Sequence, residues 1–134
     1  MSRDTLGESY WFPEYSNIGA TETGIGYGKH NTYEILNAKT SKKLTDRNCA
    51  AYRASKYSTS STRAGDWWLP SKDELDLIYQ SQKDAVLASC TYKYHWSSNE
   101  SSISNAWLKD FGDGVWLYYL KDNNESSVRA VRAF

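Results

Sequence analysis

The chain has 134 residues, sixteen basic and sixteen acidic, with 15% aromatic content that includes six Trp and eleven Tyr. This length carries one domain with one core (residues 1–134) and is too short for two ordinary ones. The charge balance excludes the basic footprint that phosphate binding needs, so nucleic acid is not an expected partner. No run approaches the ~18 apolar residues of a membrane span. Met1–Gly7 is polar and lacks an apolar stretch, so neither direct membrane insertion nor a signal peptide is expected.

The first local signal is Gly24-Ile-Gly26-Tyr-Gly28-Lys29. Its spacing is wrong for a phosphate loop, no Ser or Thr follows Lys29, and no apolar strand precedes it, so it reads as a glycine-rich turn. Asn31-Thr-Tyr-Glu34 then has the form of a capping box opening a helix through Ile35 and Leu36. A second helical run carries Leu44, Ala51 and Tyr52, and residues 58–62 form a polar loop. In Asp66-Trp-Trp-Leu-Pro-Ser-Lys-Asp-Glu74, Trp67 and Leu69 alternate as in a short strand, and Pro70 stops it. Ser71 with Glu74 forms a further capping box. The helix it opens places Leu75, Ile78, Tyr79 and Gln82 on one face with Leu77 at the edge, and ends near Lys83.

From Tyr92 onward short apolar runs alternate with Ser, Asn, Asp and Gly clusters: Tyr94, Trp96, Ala106-Trp107, Phe111, Val115–Leu120 and Val128–Phe134. This pattern predicts short antiparallel strands joined by turns, with an Asp-Gly hairpin at Phe111–Gly114. The fold class is α+β: N-terminal helices packed on short antiparallel strands, with a loop-rich C-terminal half. Trp67, Leu69, Trp96, Trp107, Phe111 and Trp116 are expected to be largely buried.

Residues suited to catalysis or metal binding are few. Cys49 and Cys90 read either as two free buried thiols or as one disulfide, and neither is flanked by His30 or His95 in a zinc spacing. His95 has no Ser or Cys nucleophile placed to partner it. Asp73 and Glu74 are helix-start charges. Asp122-Asn123-Asn124-Glu125 offers hard oxygen ligands but reads as a polar turn. No catalytic residue, metal or cofactor is expected, and the chain is not read as an enzyme.

Taken in order, Gly26-Tyr-Gly28-Lys29-His30-Asn31-Thr32, Asp66 through Leu75, Trp96-Ser97-Ser98, Asn105-Ala106-Trp107, Phe111 with Gly114, and Val128-Arg-Ala-Val-Arg132 resemble a C-type lectin fold of the formylglycine-generating-enzyme type. The resemblance covers residues 24–134. It is closest to the variable proteins of diversity-generating retroelements of bacteria, phages and archaeal viruses. In that family an error-prone reverse transcriptase rewrites adenines in the 3′ end of the gene, and the changed side chains project from a solvent-facing surface that binds ligands. The resemblance thus implies a receptor-type display protein with a variable region at 94–134. Its partner would be a protein or glycan on a cell surface. Its location would be a virion or cell surface, reached by assembly or through a missing segment. The alternative is a non-diversified surface domain of the same fold that binds sugar or peptidoglycan. Many secreted relatives carry a Cys in the last strand where this chain has Ala130, which fits Cys49 as a free thiol. Tyr10–Tyr15 replaces the family's apolar, glycine-rich N-terminal strand.

The genetic code sorts the C-terminal residues further. An Asn codon altered at its two adenines reaches Tyr, His, Asp, Ser, Leu, Val or Ile, but never Lys, Glu, Gln, Trp or Met. Trp107, Trp116, Lys121 and Glu125 therefore belong to the constant scaffold. The expected variable, ligand-binding face comprises His95, Asn99, Ser101, Ile103, Leu108, Asp110, Asp113, Val115, Leu117, Tyr118, Tyr119, Asp122, Asn123 and Asn124. Strand alternation adds that if Trp116 faces the core, then Val115, Leu117 and Tyr119 face solvent. The same alternation puts Arg129 and Arg132 on opposite faces, so at least one is expected to be buried and to donate to carbonyls of the C-terminal loops.

Overall fold

The computed structural model describes residues 6–89, 94–123 and 126–132, with residues 82–89 described as backbone. Tyr92, Cys90, Asn124, Glu125 and Phe134 lie outside the described residues. Three helices precede three strands: α1 (Gly28–Leu36), α2 (Ala50–Lys56), α3 (Lys72–Ser89), β1 (Tyr94–Glu100), β2 (Asn105–Asp110) and β3 (Trp116–Leu120). The strands form one antiparallel sheet in the order β1-β2-β3, which agrees with the α+β class.

Two of the helix starts share one carboxylate. Glu74 and Ser71 form the expected capping box, Ser71 N–H donating to Glu74 Oε1 at 2.9 Å and Glu74 N–H to Ser71 Oγ at 3.3 Å. Glu74 also accepts from the amides of Gly26 and Gly28, both at 3.1 Å, where α1 begins. The expected capping box at Asn31 is therefore displaced. α1 starts at Gly28, Asn31 is buried inside it, and its Nδ2 donates to Glu22 O (2.6 Å) and Ser98 Oγ (3.1 Å). Glu34 pairs with His30 instead. Gly28 is required by space, since a Cβ there would run into Glu74 Oε1 and lie 2.7 Å from Leu69 O. α3 continues beyond Lys83 to Ser89.

The sheet is packed on both faces. Trp96, Ala106 and Leu108 join the main core with Trp11, Phe12, Ile35, Leu69, Val128 and the α2 alanines, and half-buried Leu117 packs against it. On the other face Leu75 and Phe111 form a smaller cluster with Ile78, Tyr79 and Trp116. Of the expected core, Trp67, Leu69, Trp96 and Phe111 are buried, whereas Trp107 and Trp116 are only half-buried. The alternation of β3 is as expected, but its assignment to faces is corrected. Trp116 lies on the minor cluster and Leu117 on the main core, because both sides of the sheet are covered.

Much of the remaining chain is held by single bridges rather than ladders. Trp68 pairs with Val131, and Ser127 bridges both His95 and Glu8. Neither the Trp67–Leu69 segment nor the one starting at Val128 forms a strand of the sheet. The N-terminal segment is nonetheless integral, since Trp11 Nε1 donates to Ser97 O and Trp96 Nε1 to Ser9 O, both at 2.8 Å. Trp11 N–H also donates to Lys121 O at 2.7 Å. Among the described residues the fully buried cations are Lys109 and Lys121 rather than arginines. Arg132 is exposed over the Trp67 ring, and Arg129 is half-buried with its Nε donating to His95 Nε2 at 3.4 Å. Lys121, by contrast, is fully buried and pairs with Glu100 Oε2 at 2.6 Å.

Cys49 is a free, buried thiol, and burial pushes its pKa up to about 12. Its alkylation at pH 8 should follow global unfolding, so a native protein labelled at Cys49 as fast as a denatured one would contradict this placement. Lys121→Met leaves the Glu100 carboxylate buried without its cation and should cost about 3–5 kcal/mol in denaturant unfolding.

Candidate ligand-binding face

The hairpin β2–β3 is closed by Asp110 N–H to Val115 O (2.9 Å) and Gly114 N–H to Asp110 O (2.7 Å), with Gly114 at φ +79°. That left-handed conformation suits glycine, and a Cβ there would also meet the Tyr79 ring at 2.7 Å. Lys109 ties the turn to α3. Its buried ammonium lies 2.6 Å from Asp76 Oδ1, donates to Gly114 O at 2.8 Å, and sits between the rings of Tyr79 and Trp116. Lys121 fixes the other end of β3. It donates to Ser16 O at 2.7 Å and to Glu100, whose carboxylate also accepts the amides of Ile18 (2.8 Å) and Gly19 (2.9 Å).

Between these two anchors β3 exposes Tyr118 and Leu120 on the face shared with Trp107 and Trp116, and Tyr119 on the opposite face, while Trp116 and Leu117 stay half-buried. Tyr118 is 58% exposed, Leu120 49%, Val115 48%, and Tyr119 is also exposed. Ile103, in the β1–β2 turn, is exposed as well. Tyr118 and Leu120, next to Trp107 on one face, form an exposed apolar group of the kind that marks an interaction surface, and tyrosine adds contact area at low entropy cost. Beside them Trp107 stacks edge-on with Tyr118 at 5.4 Å, and the Lys72 ammonium lies 4.0 Å from the Trp107 ring and 4.9 Å from Trp116. Burial against these rings lowers the pKa of Lys72, opposed by Asp73 and Asp76 and reinforced by Lys109. The result is an aromatic platform with one cation on it, suited to stacking on a flat apolar or sugar face and to pairing with an anionic group.

The expected face is corrected at several positions. His95 is fully buried with its ring 4.5 Å from Phe111, because β1 is covered on both sides. Asn99 is buried and structural: its Oδ1 accepts the Lys72 amide at 2.8 Å, capping α3, and its Nδ2 donates to Glu22 O at 3.0 Å. Leu108 lies in the main core, opposite Leu117. Asp110 and Asp113 are turn residues that accept the amides of Gly112 (2.7 Å) and Val115 (3.0 Å). Ser101 and Ile103 are exposed together in the β1–β2 turn. Asp122 is exposed and accepts the Tyr15 hydroxyl at 2.9 Å, which raises the Tyr15 pKa. Asn123 is half-buried, its amide donating to Leu120 O at 3.0 Å. Asn124 lies outside the described residues.

Sequence reasoning left Lys72, Trp107, Trp116 and Leu120 off the face. The hairpin register could have supplied Trp107, because Asp-Gly closure sets Trp107 opposite Tyr118. Nothing local marks Lys72.

Among the described residues no group of three or more His, Cys, Asp or Glu could hold a metal ion, and no helix is long and apolar enough to cross a membrane. Set against protein-family models, curated proteins and solved structures, the chain matches none of them.

Val115→Ser and Ile103→Ser should each change unfolding free energy by no more than about 0.5 kcal/mol, as surface substitutions do. Leu108→Ser should cost roughly 2–5 kcal/mol, the range for emptying a core leucine site. Equal costs at all three positions, measured by urea melts, would contradict the face assignment.

Proposed function

We propose that this chain is a receptor-type display protein with a C-type lectin fold, binding a protein or glycan on a cell surface through side chains diversified by a retroelement. The function is recognition rather than catalysis, and the protein acts at a virion or cell surface. The observation that carries this reading is the division of labour along β3. Val115, Tyr118, Tyr119 and Asp122 are exposed and reachable from an Asn codon. The buried anchors Lys109 and Lys121, and the half-buried Trp107 and Trp116 of the platform, are not reachable. Leu108, Leu117 and His95 are reachable in code but pack inside, so they are excluded from the variable set.

In this reading Trp107 and Trp116 supply a constant contact surface, and Tyr118 and the other exposed, reachable side chains supply specificity. The test is to sequence this gene and its flanks in a propagated population. Substitutions should concentrate at the codons of Val115, Tyr118, Tyr119 and Asp122, with codons 107, 109, 116 and 121 constant. A reverse-transcriptase gene and a near-copy of the 3′ end should lie nearby. Uniform codons and the lack of such a near-copy would overturn diversification and favour a fixed sugar- or peptidoglycan-binding domain.

A further inference from the structure

The two edges of the sheet differ. The outer edge of β1 is covered, since Trp96 N–H donates to Ser127 O (3.0 Å), Ser127 N–H donates to Tyr94 O (2.8 Å), and Ser127 in turn bridges Glu8. β3 is the opposite edge. Lys121 N–H donates to Ser104 O (2.8 Å) and Asp110 N–H to Val115 O, so the hydrogen-bonded pairs of the hairpin fall on the odd-numbered residues of β3. Alternation then turns the amides and carbonyls of Trp116, Tyr118 and Leu120 away from β2. Among the described residues the one bond to these groups is from the Asn123 amide to Leu120 O, and a carbonyl can accept a second.

Natural edge strands are guarded by charged side chains, Pro or bulges within the strand. β3, Trp116-Leu-Tyr-Tyr-Leu120, has no charge and no Pro, and the lysine that follows it is turned into the core. The strand is also complementary to itself. In an antiparallel pair related by a two-fold axis at Tyr118, Trp116 faces the other copy's Leu120, Leu117 faces its Tyr119, and Tyr118 faces its own counterpart. Each aromatic–aliphatic pair then lies directly across the seam, and no like charges meet. The outward groups fall opposite one another, so each facing pair of even-numbered residues can exchange both of its N–H···O=C bonds.

The geometry points to a second copy of this chain as the occupant of the β3 edge, giving a two-fold dimer with a continuous six-stranded sheet. The contact is isologous, so it closes at two copies. Because main-chain bonds carry the pairing, it tolerates uncharged changes of side chain along β3. It sets the two Trp107–Trp116–Tyr118 platforms side by side, so one dimer presents two copies of the face to a repeated ligand. The dimer does not depend on the proposed function, because its test reads mass rather than ligand binding.

Sedimentation equilibrium over a concentration series should show the parent passing from 15.3 kDa to twice that mass. Tyr118→Lys and Tyr118→Glu each place like charges at the axis and should weaken self-association by at least about tenfold, equivalent to about 1.4 kcal/mol. Mixing the two variants should restore the dimer as a heterodimer. In the parent, amide exchange at Trp116, Tyr118 and Leu120 should slow with rising concentration while that of β1 does not, a readout that needs no variant to fold. A parent that stays monomeric throughout would overturn the proposal, as would single-charge variants that dimerise like the parent, a mixture that remains monomeric, or an edge that pairs only with an unrelated peptide.

Discussion

The ion pair between Glu100 and Lys121 is the constraint on which the C-terminal half depends. Both groups are almost wholly out of water, and their hydrogen bonds reach the N-terminal residues Ser16, Ile18 and Gly19. Burial lowers the pKa of Lys121 even though Glu100 acts in the opposite direction. Such a pair contributes little net stability, but removing one member strands the other. It also makes a demand that apolar packing cannot make. The path of residues 16–19 satisfies both the carboxylate and the ammonium, so the pair favours this arrangement of an otherwise irregular segment.

The same device recurs at smaller scale. Glu74 accepts from three backbone amides and joins the starts of α1 and α3, Asn99 caps α3 while donating to the N-terminal segment, and Lys109 joins the hairpin turn to α3. In each case one side chain satisfies backbone groups that in a more regular fold would pair in a ladder. A chain with three short strands and several single bridges leaves many such groups, and a few long polar side chains serve them. This accounts for a polar core that holds Asn31, Asn99, Glu100, Lys109 and Lys121 alongside the tryptophans.

Features with a local cause were legible in the sequence. The Ser71–Glu74 box, the Asp-Gly hairpin and the burial of Trp96 and Phe111 all follow from residues close together in the chain. The second capping box failed because the amides at the start of α1 find their acceptor in Glu74, 46 residues away from Gly28. The last strand failed because residues 126–132 are shared between β1, Glu8 and Trp68, each taking a single bridge. The exposure of Val115, Tyr118 and Tyr119 was legible, but the sidedness of β3 was not. Codon reach says which residues can vary, not which way they point, and a sheet packed on both faces gives alternation no single buried side to report. Lysine burial was hidden for a related reason. The partner of Lys121 lies across the sheet, and an exposed lysine would read identically in sequence.

Register is where these threads meet. Sliding β3 by one residue against β2 would move Trp116 and Leu117 to opposite faces of the sheet. Packing alone resists this only weakly, because each face offers an apolar cluster and either residue can be accommodated roughly. The lysines do not allow the slip. Lys109, which faces Trp116 across the hairpin, has its ammonium on Gly114 O, and Lys121 directly follows the strand with its ammonium on Ser16 O and Glu100. A shift would draw Lys121 out of a site that exists only for it and leave Glu100 buried and uncompensated, at a cost far above that of an exchanged apolar contact. The strand is thus positioned from its two ends by buried charge. The exposed side chains at Val115, Tyr118 and Leu120 lie between those ends, and the buried charges rather than these residues fix the register.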